Sequence, residues 1–89
     1  MDWYVYILRC GDGSLYTGMT DDVQRRLAAH RSGRGAKYTR GRGPLEPVYI
    51  ESVPDRSAAL RREAQIKRLT RTEKLALIAT AEDSGGFSS

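Results

Sequence analysis

Apolar and polar positions fall into short blocks along this 89-residue chain, and each block has the period of one kind of element. Trp3 to Cys10 is aromatic and β-branched and predicts a strand. Gly11-Asp12-Gly13-Ser14 is turn chemistry, and Leu15 to Met19 follows as a second short strand, so the two are expected as an antiparallel hairpin. Thr20-Asp21-Asp22 is a helix-start signal, with Gln24 three residues after Asp21 as a capping box. The helix is expected from about Asp22 to Arg31, with Val23, Leu27 and His30 on one side and Gly33 just past its end. Ser32 to Pro44 holds four glycines and reads as a flexible loop on a rigid domain. Leu45 to Val53 resembles a third strand, and Pro47 puts its start at a sheet edge. Asp55 caps a second helix, Arg56 to about Leu69. Thr70-Arg71-Thr72-Glu73 is a further capping box that opens a third helix to about Thr80.

The order ββαβαα predicts an α+β fold, a small three-stranded antiparallel sheet flanked by helices. The length fits one domain, expected over residues 1–82, with a flexible polar tail over 83–89. A chain this short buries only roughly 60–65% of its unfolded surface, so the core is thin and has little room for a deep cofactor pocket. Cys10 is the single cysteine, which excludes an internal disulfide and a cysteine-rich zinc site. No apolar run is long enough to cross a membrane, and the first residues lack a secretory pattern, so the expected compartment is the cytoplasm.

Charge changes this picture through its distribution. The net charge is +4, yet Val23 to Leu45 contains no acid at all. That stretch carries Arg25, Arg26, Arg31, Arg34, Lys37, Arg40 and Arg42, with Tyr38 among them. Such a field attracts polyanions, above all nucleic acid, and arginine's fork suits bidentate phosphate contact. Tyr38 can stack on an exposed base or pack on the sheet edge. A solvated basic face is the plainer alternative for the whole stretch. Lys67 adds a cation one helical turn after Glu63.

Five polar residues stand at positions that invite chemistry. Tyr6 shares one face of the first strand with Tyr4, and Tyr16 can reach across the hairpin. Arg26 and His30 are four apart on one helix face, and Glu63 sits mid-helix. Each has an ordinary structural use. Tyr6 can be a core aromatic with a satisfied hydroxyl, and His30 a last-turn residue favoured by the helix dipole. Arg26 can be one more phosphate-positioning cation, and Glu63 can pair with Lys67.

Taken in order, these residues resemble a known family. Tyr4-Val5-Tyr6, about ten residues before Tyr16-Thr17-Gly18, is similar to the two tripeptides that name the GIY-YIG nuclease superfamily. Asp22 to His30 looks like its arginine-bearing helix, and Ala59-Leu60-Arg61-Arg62-Glu63 like the helix with its metal-binding glutamate. Gly35-Ala36-Lys37-Tyr38-Thr39-Arg40 and Gln65 to Thr70 look like the small standalone bacterial (YhbQ-like) branch. The first tripeptide departs from Gly-Ile-Tyr, and the chain has no asparagine, where many superfamily nucleases carry one after the glutamate.

The resemblance implies a divalent-metal-dependent endonuclease that hydrolyses DNA phosphodiester bonds with low sequence specificity, in DNA repair or structure-directed cutting. It implies Mg²⁺ or Mn²⁺ held by Glu63, with Arg26 meeting charge on the phosphoryl oxygens. It implies Tyr6 or, preferably, Tyr16 as general base, with His30 as the rival. DNA is the expected partner, RNA is left open, and no obligatory protein partner is indicated. The alternative is a non-catalytic nucleic-acid-binding module that uses the basic 23–45 stretch.

Overall fold

The computed structural model describes residues 2–83. Three strands, β1 (Trp3–Arg9), β2 (Leu15–Thr20) and β3 (Glu46–Val53), form one antiparallel sheet in the order β2-β1-β3. Three helices, α1 (Val23–Arg31), α2 (Arg56–Lys67) and α3 (Arg71–Asp83), complete the expected ββαβαα order. α3 runs three residues past the expected Thr80, and residues 84–89 of the expected tail lie outside the described residues.

β1 is central, and its side chains are covered on both faces: Val5, Tyr6, Ile7 and Leu8 are all buried. Val5 and Ile7 join Val48 and Tyr49 of β3 with Ala59 and Ile66 of α2 and Ile78 of α3. On the other face Tyr6 and Leu8 line a small apolar cavity together with Val23 and Leu27 of α1 and Pro47. α1 thus lies over the face from which Tyr6 projects.

β3 is an edge strand, as Pro47 predicts. Its pairing slips by one residue: Ile7 faces Tyr49 while Leu8 faces Pro47. Val48 is the extra residue, and this bulge lets both Val48 and Tyr49 enter the core.

The cap of α1 differs from the expected Asp21. The Asp22 carboxylate accepts from Arg25 N at 3.0 Å. The Thr20 hydroxyl bonds the backbone N and O of Asp22, at 3.1 and 3.2 Å, which carries the extended chain one residue further before the helix turns. Asp21 instead pairs with Arg25 at 3.4 Å. The Thr70–Glu73 box forms as expected, with reciprocal bonds of 3.2 and 2.8 Å.

The glycine-rich loop is more ordered than a flexible connection. It contains a 3₁₀ turn, Lys37–Thr39, whose Thr39 is buried. Gly11 N donates to Arg42 O at 2.6 Å, which ties the loop to the β1–β2 turn. A Cβ on Gly11 would stand 2.8 Å from Pro44 Cδ, so only glycine permits that approach.

Candidate active site

Register places Tyr6 directly opposite Gly18. With no Cβ in the way, the Tyr6 ring lies across Gly18, and its hydroxyl reaches His30 in the last turn of α1. Tyr6 Oη and His30 Nε2 are 2.8 Å apart. The Tyr6 and Tyr16 ring centroids are 6.4 Å apart, and Tyr16 meets His30 edge-on at 5.3 Å. His30 is only 2% exposed and Tyr6 3%, so the contact between them is buried.

Arg26 stands one helical turn before His30, half-buried, and is coupled electrostatically to both phenols. Hydrogen bonding to the Tyr6 hydroxyl, foremost, holds the Arg26 proton more tightly than usual despite partial burial. Burial pushes the Tyr6 hydroxyl up to about 12, against the pull of Arg26. Burial, and then the Arg26 charge, lower the pKa of His30 below its ordinary value of 6.5. A neutral imidazole at pH 7 therefore faces a protonated phenol.

Glu63, on α2, bears electrostatically on the Tyr6 hydroxyl and is therefore close to this cluster. Its side chain is 19% exposed and pairs loosely with Lys67, at 3.7 Å. The ion pair with Lys67 forms as one sequence reading expects, and the carboxylate keeps some exposure. Among the described residues no group of three or more His, Cys, Asp or Glu side chains converges. A single accessible carboxylate fits a divalent ion that keeps most of its waters, as Mg²⁺ does, and does not fit a fully enclosed ion.

The basic stretch divides. Arg25, Arg34, Lys37 and Arg40 are exposed, Arg34 bonding the Ser32 hydroxyl at 3.1 Å. Arg31 is exposed and donates to Leu45 O at 3.2 Å, and Lys67 is exposed beside Glu63. Arg42 is half-buried and joins the site: it pairs with Asp12 at 2.5 Å and lies 4.4 Å from the Tyr38 ring centroid. Bonds from Ser14, and then Arg42, pull the Asp12 carboxyl down to about 2, which keeps it an anion. Tyr38 stacks on Tyr16 at 5.7 Å, nearly parallel at 28°, while staying 42% exposed.

Two contributors went unread in the sequence. Thr39 Oγ1 lies 2.8 Å from His30 Nδ1, and a Cβ on Gly35 would lie 2.8 Å from His30 Cα. Both sit inside Gly35-Ala36-Lys37-Tyr38-Thr39-Arg40, whose chemistry reads as basic and mobile because its charges hide its one buried hydroxyl.

The sheet thus brings Tyr6 and Tyr16 together with Arg26 and His30 of α1, with Glu63 of α2 near by. The chain belongs to the GIY-YIG family, since residues 2–76 match the GIY-YIG catalytic domain. Within it the chain is similar to a group of small proteins designated UPF0213. The UPF0213 protein of Oceanobacillus iheyensis is 54% identical over 79 residues, covering 89% of this chain and 92% of that protein. The solution NMR structure of the UPF0213 protein BH0048 from Bacillus halodurans is 51% identical, with a TM-score of 0.59 over 90% of this chain and 85% of that one. The solution NMR structure of the protein EF2693 from E. faecalis is 42% identical, with a TM-score of 0.64 over 92% of this chain and 88% of that one. The family supports a nuclease-type function, and a nuclease domain implies a nucleic-acid substrate. Among the described residues no helix is long and apolar enough to cross a membrane.

Proposed function

We propose that this protein is a divalent-metal-dependent endonuclease that hydrolyses DNA phosphodiester bonds with low sequence specificity, residues 1–82 acting as one catalytic domain. The observation that carries the reading is the 2.8 Å contact between the Tyr6 hydroxyl and a buried His30, flanked by Arg26. A water attacking phosphorus loses a proton to Tyr6 Oη as Tyr6 passes its own proton to His30 Nε2. The water oxygen forms the new P–O bond as the bond to the 3′ oxygen breaks. Arg26 faces the charge that grows on the phosphoryl oxygens. Mg²⁺ or Mn²⁺ held by Glu63 supplies, when bound, charge stabilisation at the leaving oxygen. Arg25, Arg31, Arg34, Lys37, Arg40 and Lys67 hold the DNA backbone, and RNA is tested beside DNA.

This reading moves the general base from Tyr16 to the Tyr6–His30 pair. A phenol raised to about 12 is not a standing base near neutrality, whereas a buried neutral imidazole is ready to accept a proton. Tyr16 then acts electrostatically on Arg26, adding to the hold on its proton.

The test is cleavage of labelled single-stranded, duplex, flapped and branched DNA, and of RNA, in Mg²⁺, Mn²⁺ and EDTA. Metal-dependent products are expected from the wild type and none from Glu63→Ala, which controls for contaminating nuclease. Wild-type cutting by Glu63→Ala removes Glu63 from the site. Salt-sensitive binding without cutting supports the non-catalytic module instead.

The pH dependence has a fixed sign. His30 must be neutral to accept a proton, so kcat/KM rises with pH through its depressed pKa, below 6.5, and is level by about pH 7–8. His30→Gln is expected to lose that acid limb along with most of the activity. A wild-type rate that keeps climbing toward pH 10 would identify a tyrosinate as the base and overturn the relay.

A further inference from the structure

We infer that Thr39 is a positioning residue that sets the tautomer of His30, and with it the direction in which the Tyr6 proton moves. The inference rests on the proposed relay for its effect on rate, but its geometry stands apart from any activity.

A threonine hydroxyl has one hydrogen. Thr39 Oγ1 gives that hydrogen to the Ala36 carbonyl at 2.9 Å, and the same carbonyl accepts Thr39 N–H at 3.1 Å. The hydroxyl thus turns a lone pair toward His30 Nδ1, 2.8 Å away. Nδ1 must therefore carry a hydrogen. A neutral imidazole has only one ring hydrogen, so Nε2 is left as an acceptor. Its neighbour at 2.8 Å is the Tyr6 hydroxyl, which then donates. The opposite tautomer would set two lone pairs against each other between Nδ1 and Thr39, inside a cluster where both residues are 2% exposed.

The loop is built to hold this contact. Gly35 lets the backbone press on the His30 ring, where a Cβ would lie 2.8 Å from Cγ. The 3₁₀ turn over Lys37–Thr39 then presents consecutive side chains to two site residues, Tyr38 to Tyr16 and Thr39 to His30. A residue without a hydroxyl at position 39 removes the acceptor and leaves the backbone bond from its N–H to the Ala36 carbonyl available to the turn.

His30 is the only histidine in the sequence, so an untagged, ¹⁵N-labelled sample gives one imidazole in a long-range ¹H–¹⁵N spectrum. The wild type is expected to show the Nδ1–H form near neutral pH. Thr39→Ser should keep that form and cut DNA within about two-fold of the wild type. Thr39→Val, nearly equal in shape, should shift His30 toward Nε2–H. It should also lower kcat by about 10–100-fold, by analogy with a metal-ligating imidazole that loses its orienting partner, with little change in KM. Circular dichroism checks folding, and Thr39→Ala repeats the test if valine disturbs the turn. A wild-type Nε2–H spectrum, or an unchanged Nδ1–H spectrum in Thr39→Val, overturns the inference. A chain that cuts no nucleic acid refutes the proposed function, and the spectra then decide the tautomer by themselves.

Discussion

Arg26→Ala is expected to lower kcat for DNA cleavage by about 100–1,000-fold, the range for loss of one preorganised charge contact in an active site, while leaving the fold intact. Arg26 is half-buried, and its charge is coupled to the Tyr6 and Tyr16 hydroxyls, so it stands beside them before a phosphate arrives. Its side chain is absent from the aliphatic core, so stability should change little. Arg26→Lys is expected to restore only a fraction of the rate, because a point charge cannot face two phenols and a phosphoryl group with one planar fork. A second readout comes from His30. Burial is the main cause of its lowered pKa and Arg26 the next, so Arg26→Ala should move the His30 titration upward, toward but not beyond 6.5. Single-turnover kinetics and an NMR titration of the lone imidazole measure both effects. A near-wild-type rate in Arg26→Ala would take the transition-state role away from this residue.

Most of the frame that positions these groups is legible in the sequence, because each piece follows from local chemistry. Alternation from Trp3 to Arg9 places Tyr6 and Leu8 on one face and Val5 and Ile7 on the other. Spacing of four puts Arg26 and His30 on one side of α1. The Thr70–Glu73 box reads directly, since a capping box is complete within four residues. What escapes the sequence depends on partners far along the chain. Asp22 rather than Asp21 caps α1, with its own backbone N–H and C=O bonded by the hydroxyl of Thr20, the last residue of β2. Val48 enters the core through a bulge whose register only β1 defines. Thr39 is buried because a loop of glycines and cations folds back on His30, and no local period marks that. Tyr38, open in the sequence between stacking on a base and packing on the sheet edge, packs on Tyr16 and Arg42 while remaining partly exposed.

The same dependence on distant partners makes Gly18→Ala a severe change for its size. Gly18 is buried, and its backbone is not in the left-handed region, so alanine meets no conformational penalty there. The obstacle is space. A Cβ would lie 2.5 Å from Tyr6 Oη, 2.7 Å from Tyr6 Cζ and 3.0 Å from Tyr16 Cε2. Tyr6 cannot keep its path across β2, and as it moves it gives up the 2.8 Å contact with His30. Overpacking of this kind destabilises by about 1–3 kcal/mol. The lost relay is expected to reduce cleavage at least 100-fold, the lower end of the usual contribution of general acid–base catalysis. Comparison with Tyr6→Phe separates the two effects. If the methyl group acts by displacing Tyr6, then Gly18→Ala added to Tyr6→Phe should change the rate little, while still lowering the thermal midpoint. Two residues acting through one contact are not additive. Fully additive losses in the double variant would mean that Gly18 serves cleavage by some route other than the path of Tyr6.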